Sequence, residues 1–114
     1  MGISQQRLGS TIQRELAHIV NNVIKNGRVG NISITEAKVT KDLSFCYVYY
    51  TILSEDQEII KLTNTLLENN NKEIRMKLAE KIRNVRKIPE LIFKYDEALA
   101  YGNRIETLLK EIKK

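Results

Sequence analysis

The run Lys72-Glu73-Ile74-Arg75-Met76-Lys77-Leu78-Ala79-Glu80-Lys81-Ile82-Arg83-Asn84-Val85-Arg86-Lys87-Ile88-Pro89-Glu90-Leu91-Ile92-Phe93 reads as a basic amphipathic helix, the chain's single proline, and then a strand. At about 100° per residue, Ile74, Leu78, Ile82 and Val85 form one apolar strip, and Lys72, Arg75, Ala79, Arg83 and Arg86 form a stripe beside it. The apolar strip has to be buried against a sheet or another helix. The cations of the stripe are expected to point away from that core into water, one turn apart, so that glutamine at Arg75 and Arg83 should spare the fold. Glu73 and Glu80 fall on another side of the helix, so no carboxylate cancels the positive field within the stripe. Proline lacks the amide donor and disfavours helix in the residue before it. The helix is therefore expected over 72–86, with a third strand at Leu91-Ile92-Phe93 after it.

A cationic helix face also occurs simply as a solvated surface, so the distribution of charge over the rest of the chain decides how the stripe is read. The net charge of +5 is the balance of +3 over residues 1–54, −3 over 55–71, +5 over 72–88 and zero over 89–114. Signs are usually interspersed on a merely soluble surface. Their segregation here favours a polyanionic partner. A length of 114 residues fits one compact domain, 1–114, with a single core.

Working outward from the stripe, Leu8, Ile12, Leu16, Ile19 and Val23 recur at helical spacing, which predicts a first helix from about Ser4, its N-cap, to Lys25. Arg7, Arg14, His18, Asn21 and Lys25 share a second polar, mostly cationic sector. Gly27 and Gly30 end this helix, Gly27 as its left-handed C-terminal residue. Residues 31–39 alternate around Ile32 and Ile34, and residues 43–53 are rich in β-branched and aromatic side chains, so two strands joined by Thr40-Lys41-Asp42 should pair antiparallel. Cys46, Val48, Tyr50 and Ile52 are assigned to the core face. Phe45, Tyr47, Tyr49 and Thr51 share the opposite face, where the aromatics are either ordinary strand formers or a base-stacking platform.

Ser54 and Asp56 offer capping oxygens to a second helix marked by Ile59, Leu62, Leu66 and Leu67, which stops near Asn69-Asn70-Asn71. A last helix is expected over 96–112, weakened by Gly102. The order is α-β-β-α-α-β-α, an α+β fold, and the strand order within the sheet stays open. One of Asn70 and Asn71 is expected to leave right-handed helical geometry between the second and third helices.

Several function classes are disfavoured. His18 is the sole histidine, no serine, aspartate or cysteine stands near it in a nucleophile motif, and there is no glycine-rich phosphate loop or paired-ligand spacing. Catalysis, a cofactor and a metal ion are accordingly not expected. The single cysteine, in an apolar strand, suits a reducing compartment. No apolar run reaches the ~20 residues of a membrane span, and no leader is evident. A cytoplasmic monomer is the expectation.

Arg7 with Glu15-Leu16-Ala17, Ile34-Thr35, Asp42-Leu43, Val48-Tyr49, and above all Ile74-Arg75, Leu78-Ala79, Arg86, Pro89-Glu90-Leu91, Phe93, Asp96, Gly102, Arg104 and Ile105 give nearly the whole chain a pattern that resembles the ribosome-binding factor A family. The resemblance implies a type II KH-like domain, three strands covered on one face by helices, without catalytic activity. It also implies binding to 16S rRNA of the immature 30S subunit, in assistance of its processing and assembly. A generic KH-like module for single-stranded RNA or DNA, using the tyrosine face, is the alternative. KH domains clamp nucleic acid with a Gly-x-x-Gly loop, which this family replaces by an interrupted helix marked Ala-x-Gly. The equivalent positions here are Asn70-Asn71-Lys72, without glycine, so the break relies on asparagine, which tolerates left-handed geometry better than other non-glycine residues. The RNA-binding candidates are Lys72, Arg75, Arg83 and Arg86 on the third helix, Arg7, Arg14 and Lys25 on the first, and Asn70 and Asn71 at the break.

Overall fold

A computed structural model describes residues 5–82 and 87–97. Ser4 as a cap, residues 83–86 with Arg83 and Arg86, and the expected C-terminal helix beyond Glu97 lie outside them. The described elements are α1 (Gln5–Val23), β1 (Ile32–Val39), β2 (Phe45–Ile52), α2 (Gln57–Asn69), α3 (Asn71–Lys81) and β3 (Glu90–Tyr95). The sheet order is β1-β2-β3. β1 pairs antiparallel with β2 and β3 pairs parallel with β2, as the long helical connection through α2 and α3 permits. Helices cover one face of the sheet: α1 lies along β1 and against α3, and α2 packs on β3. This is the α+β, helix-strand-strand-helix-helix-strand order that the sequence predicts.

The parity of β2 is as expected. Cys46, Val48, Tyr50 and Ile52 are buried with Ile74, Leu78 and Ile82, while Phe45 is exposed and Tyr47, Tyr49 and Thr51 are partly exposed. On β1 the alternation changes phase. Ile32 and Ile34 stand opposite Ile52 and Tyr50, but a bulge between Ile34 and Glu36 puts Ala37 and Val39 opposite Val48 and Cys46. The inserted residue, Thr35, thus moves the core side chains from even to odd positions, because a one-residue shift exchanges the two faces of a strand. Thr35 Oγ1 donates to Asp96 Oδ2 at 2.6 Å, which ties the bulge to the end of β3.

Three amides spaced eight residues apart along one row of α1 meet β1. Gln5 Nε2 donates to Val39 O, Gln13 Nε2 to Thr35 O at 3.1 Å, and Asn21 Nδ2 to Ile32 O at 2.8 Å. Asn21 Oδ1 also accepts from Ile32 N at 2.8 Å. These amides occupy backbone groups on the free edge of β1, which would otherwise be open to pairing with another chain. Gly9 belongs to the same row, and a Cβ placed on it would lie 2.7 Å from Ala37 O. Asn21, read from the wheel as part of the polar stripe, is in fact a partly buried clamp on the start of β1.

Two turn assignments are corrected. The residue with positive φ after α1 is Gly30, at 69°, and not Gly27. The chain turns there through Arg28 N donating to Asn26 Oδ1 at 2.9 Å and Gly30 N to Asn26 O at 3.0 Å, so the left-handed residue closes the turn rather than the helix. In the hairpin, Leu43, expected to begin the second strand, belongs to the turn with φ 61°, and β2 begins at Phe45. Asp42 Oδ1 accepts from Thr40 Oγ1 at 2.8 Å and from Ser44 N at 3.1 Å, and these bonds, Thr40 first, hold the carboxyl below its ordinary pKa.

Burial pushes the Cys46 thiol up to about 12, from 9.0. Tyr50 also rises to about 12, first through burial and then through Glu68 and Tyr95. Its hydroxyl donates to Asn64 Oδ1 at 3.3 Å. Both pKa values are raised by folding, so the stability linked to them is complete below the unfolded values and is lost as pH climbs toward 12. Native protein near neutral pH should therefore resist alkylation at Cys46, and urea should expose the thiol to rapid reaction. Equal alkylation rates in the two states would disprove the burial.

Candidate nucleic-acid interface

The connection from α2 to α3 sets the site. Asp56 caps α2 by accepting from Glu58 N at 2.9 Å. At the far end Asn70 takes φ −104° and ψ 10°, outside right-handed helix. Its backbone N, at 3.0 Å, and its Nδ2, at 2.8 Å, both donate to Leu66 O, and its own carbonyl accepts from Ile74 N at 2.9 Å. Asn70 is therefore the last cap of one helix and the entry to the next, as expected of one of the two asparagines. The break uses the bridge region rather than left-handed geometry, so an asparagine suffices where a glycine would be needed for positive φ. Asn71 begins α3 and donates from Nδ2 to Leu91 O at 3.0 Å.

α3 ends at Lys81, with Ile82 leaving the helix at φ −113° and ψ 89° while staying buried. The helix expected to run to residue 86 thus ends at Lys81, and Ile82 keeps its place in the core outside helical geometry. Arg75 also departs from expectation. It is half-buried, and its guanidinium donates through Nε to Pro89 O at 3.2 Å and through Nη2 to Ile88 O at 2.7 Å. Its side chain runs back onto the segment that enters β3 instead of pointing freely into water.

Together Asn71 and Arg75 dock α3 on β3 and leave a groove of ≈ 980 Å³ between them. Lys72, Glu68, Asn69 and Glu90 are exposed at its rim, Asn71 and Arg75 are half-buried along its wall, and Met76, Ala79, Ile82, Ile88 and Leu91 give it apolar surface. Asn70 and Lys72 also border an adjoining smaller depression of ≈ 400 Å³. Lys72, Arg75 and Asn71 are thereby brought together. Arg7 and Arg14 are exposed on α1, Lys25 is exposed just past it because the helix ends at Val23 rather than at Lys25 as expected, and none of the three lines the groove. Met76, 59% exposed, was not singled out in the sequence. The signal for it was an apolar residue on the wheel next to Lys72, outside the core strip. A partly apolar trough bordered by Lys72 and Arg75 as well as by Glu68 and Glu90 has the mixed surface that a nucleic-acid strand with unpaired bases can use. Among the described residues no group of three or more histidine, cysteine or carboxylate side chains is placed to hold a metal ion, and no helix is long and apolar enough to cross a membrane.

Comparison with known proteins gives concordant results. The chain is 51% identical over 114 residues, the full length of both chains, to ribosome-binding factor A of Phytoplasma mali (strain AT). The crystal structure of ribosome-binding factor A from Thermus thermophilus superposes with a TM-score of 0.70 at 20% identity, covering 82% of this chain and 97% of that one. A homology model of the Thermus thermophilus factor fitted into a cryo-EM map of a 30S complex gives 0.67 at 21% identity, over 82% of this chain and 96% of that one. The family model described as ribosome-binding factor A matches residues 4–109, and the chain belongs to that family.

Proposed function

We propose that this chain is a non-enzymatic maturation factor of the small ribosomal subunit, acting in the cytoplasm as one RNA-binding domain over residues 1–114. It binds 16S rRNA of the immature 30S subunit and assists its processing and assembly. The observation that carries the reading is the groove between α3 and β3, with Lys72 on its rim and an apolar surface beneath. The fitted 30S complex of the Thermus thermophilus relative supports the same partner. Lys72 on α3 contacts phosphates, as do Arg83 and Arg86 beyond its end, Arg75 keeps its charge on the groove wall, and Asn70 and Asn71 hold the helix break against which the RNA lies. Arg7 and Arg14 on α1, with Lys25 just beyond its end, give a second line of contacts.

Binding itself is the mechanism. A protein that grips one conformation of the maturing RNA more tightly than another shifts the population toward it, by no more than that difference in affinity and without bond chemistry. Each phosphate neutralised adds about 0.7 to 0.9 to the magnitude of the slope of log K against log salt. The double substitution Lys72→Gln and Arg83→Gln should therefore flatten the slope for 30S RNA by about 1.4 to 1.8, with a native circular dichroism spectrum. An unchanged slope would return these cations to a solvated helix face. Nuclease treatment of copurifying material separates RNA from an acidic protein partner, because it removes an RNA partner alone.

A further inference from the structure

The sheet face turned away from the helices has a composition that the groove does not use. Phe45, Tyr47 and Tyr49 project from β2 at alternate positions, Phe45 exposed and the tyrosines half-buried. Lysines flank the tyrosines from both neighbouring strands: Lys94 Nζ lies 5.0 Å from the Tyr47 ring centroid and Lys38 Nζ 5.9 Å from that of Tyr49. Ile92 stands beside Tyr47 in the register, and Glu90 beside Phe45. Glu90 also lines the groove, so the two surfaces meet at the edge formed by β3.

We propose that this face is a stacking platform for unpaired bases of RNA that leaves the groove across β3. The proposal rests on the RNA-binding reading above and extends it to a second surface. Three geometric and chemical points favour a single strand as occupant. Alternate residues on a strand stand about 6.8 Å apart, roughly twice the ~3.4 Å rise per nucleotide in a duplex strand, so the rings match an extended strand with splayed bases. A half-exposed tyrosine offers a π surface to any base. The lysines beside the rings can turn toward phosphates of that strand while keeping their stems on the aromatic surface. Lys38 pairs with Glu36 at 3.9 Å, and Glu90 opposes Lys94 in overall charge, so the face carries no net field. The part contributed by the tyrosine rings should come from stacking and depend only weakly on salt, unlike the phosphate contacts of Lys38, Lys94 and the α3 stripe.

The test uses the full chain and two oligoadenylates, one about four nucleotides long, enough for the groove, and one about twelve long, able to cross β3. The double substitution Tyr47→Leu and Tyr49→Leu keeps apolar area on the strand and removes both rings. It should weaken the longer oligonucleotide by about tenfold or more and leave the shorter one unchanged, with the difference persisting at high salt. Lys72→Gln should weaken both. With 5 tyrosines and no tryptophan, the wild-type chain also reports directly, since the longer oligonucleotide should quench tyrosine emission more than the shorter. That measurement does not depend on how the variant folds. Equal binding of the longer oligonucleotide by variant and wild type, equal quenching by both lengths, or a wild-type dimer that the tyrosine substitutions dissolve would each overturn the platform. If Lys72→Gln is silent while the tyrosine effect stands, the groove reading fails and the platform does not.

Discussion

Alanine at Gly9 is expected to destabilise this chain markedly, although alanine is the better helix former. In an ordinary helix the exchange gains about 1 kcal/mol. Here the new Cβ would stand 2.7 Å from Ala37 O, a backbone atom of β1 held in the sheet opposite Val48. Neither backbone can yield without disturbing the row in which Gln5, Gln13 and Asn21 bind the edge of β1. Overpacking of this kind costs about 1–3 kcal/mol, and each kcal/mol lowers the melting temperature of a small domain by about 4–8 °C. Gly27 is the internal control, with nothing within 4 Å of its would-be Cβ and no positive φ, so Gly27→Ala should be neutral or mildly stabilising. Thermal unfolding of the two variants decides the matter. Equal melting temperatures would show that α1 can lift from β1 at no cost.

Arg75→Gln is expected to produce the second large effect, and on stability rather than on charge alone. The guanidinium bonds Ile88 O and Pro89 O at once, a fork that a shorter neutral amide cannot span. Hydrogen bonds from a charged donor are each worth about 1.5–3 kcal/mol, and the half-burial of this side chain places the loss toward the lower end. Arg75→Lys should fall nearly as far, because an ammonium presents a point rather than a fork. Lys72→Gln, at the exposed rim of the same helix, should stay within about 0.5 kcal/mol while still reducing the salt dependence of RNA binding. Denaturant midpoints for the three variants test this ordering. If Arg75→Gln is as stable as Lys72→Gln, the contact with the Ile88-Pro89 segment does not anchor β3.

The candidate site was partly legible in the sequence. Lys72 is legible because an exposed cation beside an apolar strip is visible in a helical wheel, and Asn70 because a polar triplet between two helical patterns marks a break. The role of Arg75 was not visible: its partners are carbonyls of Ile88 and Pro89, and a wheel carries no information about what packs beside a helix. Met76 escapes notice for a related reason. A lone apolar residue outside the core strip acquires meaning only when β3 arrives to form the other wall of the groove.

The sequence by itself determined the element order, the antiparallel hairpin and the inward face of β2, because period-two and period-3.6 burial patterns are local properties of the chain. Tertiary structure decided the rest. It placed β3 parallel to β2, inserted Thr35 as a bulge so that β1 changes phase, ended α3 at Lys81, and required a glycine where α1 touches β1. The parallel pairing, the bulge and the need for a glycine follow from contacts between residues distant along the chain. Edge carbonyls need donors, buried side chains need a surface, and two backbones in close approach leave no room for a Cβ.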